Sequence, residues 1–112
     1  MKVTSGEQNS IVVLSLDGNI MGGPDASMLN NEIHSLLEKG KMNIVLDLAR
    51  VDAMNSSGLG MLISSLTATK NAGGQLKLAA ASTKIRGLLT MTKLMTFFEH
   101  HDSVDQAVKS FL

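Results

Sequence analysis

The chain has 112 residues, enough to bury one hydrophobic core and too few for two ordinary domains. Ten basic side chains balance ten acidic ones and cysteine is absent, which argues against direct nucleic-acid binding, disulfides and thiolate metal sites. Apolar residues make up 44% of the sequence but aromatics only 3%, so the core must be built from Leu, Ile, Val, Met and Ala.

The opening "MKVTSGEQNS" lacks the apolar run of a signal peptide, and no later segment approaches the roughly 18 apolar residues of a membrane span. A cytoplasmic location without membrane insertion is the expectation. The polar opening pairs as an edge strand with "NSIVVLSLDGNI", whose β-branched residues predict a strand ending in a turn at Asp17-Gly18. In "GGPDASMLNNEIHSLLEKG" Pro24 suits the first helical position and Asp25 the positive end of a helix. Met28 or Leu29, Ile33 and Leu36 or Leu37 recur at helical spacing before Gly40 closes the segment.

"MNIVLDLARVD" predicts a strand covered on both faces, with Asp47 its one awkward residue. A helix follows with Leu59, Leu62, Ile63 and Leu66 directed inward; at 100° per residue, Ser57, Met61, Ser64 and Ala68 fall on the opposite side. "QLKLAA" is a short strand, and Ser82 caps a helix whose Ile85, Leu88 and Leu89 face the core. "TFFEHH" predicts a last edge strand and "SVDQAVKSFL" a short terminal helix. This alternation gives an α/β fold, a mixed sheet with about four helices in a single domain.

The residues that carry chemistry lie in "NSSGLG", Asn55 to Gly60, between strand and helix. Asn55, Ser56 and Ser57 are all competent N-caps, more than one helix needs. A catalytic serine would need a base and an oxyanion hole, yet the sequence holds neither a Gly-x-Ser-x-Gly elbow nor a serine three residues before a lysine. Gly58 and Gly60 match part of a dinucleotide fingerprint, but the third glycine would fall at Ile63. His100, His101 and Asp102 suggest a metal, although neighbours on a strand point to opposite faces. A serine at a helix N-terminus also suits a phosphate acceptor, because free N–H groups and the dipole favour added negative charge.

"IVLDLARVDAMNSSGLGMLISSLTATKNAGGQLKLA", with "IRGLLTMTKLMTFFE" and "DSVDQAV", resembles the anti-sigma factor antagonist family, whose fold is the STAS domain. The resemblance implies a protein without catalysis or cofactor of its own. It implies binding to an anti-sigma factor that is also an ATP-dependent serine kinase. That kinase would phosphorylate Ser56, releasing the antagonist, and a PP2C-type phosphatase would restore it. Asn55, Ser57, Gly58, Met61 and Ser64 are the expected partner-binding residues, with Gly58 allowing close approach. Two departures stand out: Asn55 replaces the family's Asp, and Gly18-Asn19-Ile20-Met21 replaces an acidic Gly-Glu-Leu-Asp stretch. A constitutive, never phosphorylated STAS adaptor in a signalling or transport assembly is the alternative.

Overall fold

The computed structural model describes residues 1–112. In order, the chain forms β1 (Lys2–Gln8), β2 (Ile11–Ile20), α1 (Pro24–Glu38), β3 (Asn43–Met54), α2 (Ser56–Asn71), β4 (Gln75–Ala79), α3 (Thr83–Met91), a 3₁₀ turn (Leu94–Thr96), β5 (Glu99–His101) and α4 (Val104–Lys109). Sheet order repeats chain order, with β1 antiparallel to β2 and the remaining pairs parallel.

Three successive crossovers step across the sheet in one direction, and right-handed connections then put α1, α2 and α3 on the same side. Alternate residues face them: Leu14 on β2 pairs with Leu46 on β3, which pairs with Leu78 on β4, and all three are fully buried. Burying such a side chain contributes about 1.5–3 kcal/mol, so this row anchors the helical layer. The other sheet face packs Ile11, Val13, Val45 and Ala79 against Ala107 and Val108 of α4.

α4 is too short to cover that whole face, which explains Asp47. Its carboxylate lies half-buried, accepting from the Ser15 hydroxyl at 3.2 Å and from the Ala49 N–H at 3.0 Å. Beneath the C-terminus, buried Lys77 pairs with Glu99 at 3.0 Å, donates to the Ser110 hydroxyl at 2.7 Å and stacks over Phe111.

Three expectations need correction. Asp17-Gly18 is no turn: β2 continues to Ile20, and the chain absorbs the glycine as irregular pairing with β3, Gly18 taking φ 108°. The last strand begins only at Glu99, because Leu94–Thr96 turns as 3₁₀ helix and pairing with β4 starts at Lys77. The third correction concerns α2. Met61 is buried at 3% exposure and Ile63 lies outside at 39%, reversing their expected positions.

The reason is that small residues face inward. Gly58, Ser65 and Thr69 are buried beside Leu59, Leu62 and Leu66, rotating the contact face by roughly 70° from the apolar stripe at 100° per residue. The two hydroxyls are satisfied within the helix, Ser65 donating to the Met61 carbonyl at 3.0 Å and Thr69 to that of Ser65 at 2.8 Å.

Candidate functional site

β3 ends at Met54 and α2 starts at Ser56, with Asn55 as the cap between them in extended conformation. The Asn55 side chain works in two directions. Its Oδ1 accepts from the Gly58 N–H at 2.9 Å, and its Nδ2 donates to the Met21 carbonyl at 3.1 Å. The head of α2 is thereby tied to the loop leaving β2. A further bond runs from the Asn55 N–H to the Ile20 carbonyl.

With the cap supplied by Asn55, Ser56 and Ser57 are both exposed and their hydroxyls make no side-chain hydrogen bond within the chain. The first turn of α2 carries no acidic residue, so the partial positive charge of the helix end stands uncompensated beside Ser56. No histidine hydrogen-bonds either serine. His100 and His101 point to opposite faces of β5, the former accepting from the Ala81 N–H at 3.1 Å and the latter pairing with Glu99.

Gly58 does not serve partner approach as expected. It is buried, and a Cβ there would lie 2.1 Å from the Ile20 carbonyl oxygen, so this glycine lets the end of β2 cross under α2. The glycine that leaves open space is Gly60, which is exposed and where an added methyl would meet nothing within 4 Å. It stands one helical turn after Ser56, a relationship readable from the spacing alone.

Ser56, Gly60, Ile63 and Thr67 form one outward stripe, all exposed. Ile63, Ser64 and Thr67 also wall an open groove of about 720 Å³ between α2 and α1, which contributes His34, Leu37 and Glu38. Ser64 is thus exposed as expected, whereas Met61 lies beneath the surface and cannot touch a partner directly. Met21 and Met28, each 44% exposed, add apolar surface from the β2 exit loop and α1. Sequence periodicity had no means of placing Met21 here, since its link to Asn55 is made only by folding.

The STAS domain profile matches residues 2–107. The chain belongs to the STAS domain family. This STAS chain is similar to BtrV of Bordetella bronchiseptica, a candidate anti-sigma factor antagonist, at 24% identity over 111 residues, covering 99% of this chain and 95% of the relative. Its fold matches that of a candidate anti-sigma factor antagonist from Thermotoga maritima with a TM-score of 0.87 at 21% identity, covering 96% of this chain and 92% of the other. It also matches SpoIIAA, a Bacillus cell fate determinant solved in its phosphorylated form, with a TM-score of 0.74 at 17% identity over 99% and 100% of the two chains. No helix of this STAS domain is long and apolar enough to cross a membrane.

Proposed function

We propose that this protein is an anti-sigma factor antagonist that binds an anti-sigma factor serine kinase while Ser56 is unmodified and releases it once Ser56 is phosphorylated. One observation carries the reading: Asn55 caps α2, leaving the Ser56 hydroxyl exposed and uncommitted at the positive end of that helix. A structural serine would be engaged. This one is presented.

Phosphate added there brings about 1.5–2 negative charges onto a surface that otherwise has none in the first turn of the helix. The helix end tolerates that charge within the free protein. A partner seated on the Ser56–Gly60–Ile63 stripe must desolvate it. A hundredfold loss of affinity needs only about 2.8 kcal/mol, within reach of an unpaired phosphate carried into an interface. The protein itself performs no chemistry in this scheme; the kinase supplies ATP and a PP2C-type phosphatase resets Ser56.

The similarity to BtrV and to a Bacillus protein known in phosphorylated form supports the assignment. The test uses the cognate kinase and Mg-ATP. One phosphate is expected on the wild-type chain, none on Ser56→Ala, and weaker kinase binding by Ser56→Asp. Undiminished labelling of Ser56→Ala removes the site. A chain that stays unmodified and binds its partner constitutively is instead the adaptor.

A further inference from the structure

We infer that the corner formed by α3 and the following 3₁₀ turn is a second docking surface, for an acidic amphipathic helix of a partner protein. Met91 is 83% exposed, more than any other large apolar side chain, and Phe97, one of only three phenylalanines, is 63% exposed. An aromatic-poor chain therefore leaves one of its few rings in solvent. Both residues sit on a well-tied reversal. The Lys93 N–H bonds the Thr90 carbonyl at 3.0 Å, the Phe97 N–H bonds that of Leu94 at 3.0 Å, and Leu94 and Met95 pack on the core. Their exposure is thus built in.

The charge around them is predominantly positive. From Thr83 to Phe98 the charged residues are Lys84, Arg86 and Lys93, with no carboxylate, although the chain as a whole is neutral. Arg86 is paired with Asp102 at 3.2 Å, whereas Lys84 and Lys93 have no acidic partner. Lys70, also without one, shares with Phe97 the wall of a cleft of about 250 Å³ whose one carboxylate, Glu99, is already paired with Lys77 and His101. Acidic side chains flanking an apolar anchor complement this arrangement.

Gly87 selects a polypeptide over a lipid surface. It lies at the centre of α3, on the face that Lys84 and Met91 share, and a Cβ there would meet nothing within 4 Å. Glycine weakens a helix and no internal packing requires it here. A backbone passing close over α3 would make use of it, whereas an anionic membrane would be served equally by alanine. The Met91–Phe97 end of this surface lies away from the switch, since α3 runs back from the Ser56 end of the sheet and Lys70, beside Phe97, lies about 20 Å along α2 from Ser56 at 1.5 Å per residue.

The test is a titration of the ¹⁵N-labelled full chain with a synthetic helical peptide carrying a leucine stripe flanked by glutamates. Its counterpart has lysines for glutamates, and phosphatidylglycerol vesicles form a third arm. Expected are saturable shifts at Lys84, Gly87, Met91, Lys93 and Phe97 with the acidic peptide, and none at Ser56. The pairs Met91→Ser with Phe97→Ser, and Lys84→Glu with Lys93→Glu, should each weaken binding about tenfold, the equivalent of about 1.4 kcal/mol. Gly87→Ala should raise the thermal midpoint of the free chain while weakening the peptide complex. The inference is overturned by an unresponsive acidic peptide, by an equal response to the lysine peptide, by binding to vesicles alone, or by unaltered peptide affinity in Gly87→Ala.

Discussion

The side-chain amide of Asn55 donates to the main-chain carbonyl of Met21 at 3.1 Å while its oxygen caps α2. An aspartate could perform only the second task. Asn55→Asp should therefore keep most of the global stability, within about 1 kcal/mol, because the cap and a favourable helix-end charge remain. It should release the loop, seen as faster amide exchange at Gly22 and Gly23. Asn55→Ala, which loses both bonds, should cost about 2 kcal/mol in urea denaturation.

The two glycines after Ser56 predict opposite outcomes. Gly58→Ala drives a methyl into the Ile20 carbonyl and should destabilise the fold by about 3 kcal/mol. Gly60→Ala adds its methyl to open space and should stabilise the free protein by about 0.5–1 kcal/mol through helix propensity. If Gly60 lies under the kinase, the same variant should be phosphorylated more slowly at Ser56. Thermal melts and a kinase time course separate the two effects.

Met61 and Ile63 make a second contrasting pair. Met61→Ala empties a core position and should cost about 2–5 kcal/mol. Ile63→Ser acts on an exposed position, so its stability change should stay near 0.5 kcal/mol. Its effect should appear instead as weaker binding to the anti-sigma factor, measured by calorimetry. Equal binding by Ile63→Ser and wild type would move the docking face elsewhere.

Acid should loosen the β4–β5 edge. His100 accepts from the Ala81 N–H and must be neutral to do so; burial, chiefly, holds its pKa below the ordinary 6.5, with Arg86 acting in the same direction. The unfolded chain then binds a proton before the folded one, so the contribution is complete above pH 6.5 and is lost as pH falls through the folded pKa. Glu99, lowered below 4.5 by its bonds to His101 and Lys77, adds a loss of the same sign at lower pH. Urea midpoints between pH 7 and 5 should fall in the wild type and flatten in His100→Gln.

Much of this was legible beforehand because it depends on local chemistry. Pro24 starts α1 and Ser82 caps α3 through a bond to the Ile85 N–H, as the residue types require. The β2 and β3 segments alternate or run apolar for reasons internal to each strand. The face of α2 was not legible, because apolarity pointed to Ile63 while the helix turned its small residues inward. Ser65 and Thr69 can face inward because their hydroxyls bond within the helix, which the apolar stripe does not reveal. The same limit applied to the site: Ser56 at a helix start could be read from spacing, whereas the release of its hydroxyl by Asn55 could not.

A sheet whose strands lie in the order of synthesis has a consequence for how it is made. Each parallel strand can join the growing edge as it leaves the ribosome, and none must wedge between two already joined. The exception to this orderly growth is the reverse face, where Ile11, Val13 and Val45 stay uncovered until α4, which follows all five strands, arrives to shield them. Nascent chains of this protein therefore carry a sticky side even after all five strands are made, and its protection waits for Ala107 and Val108.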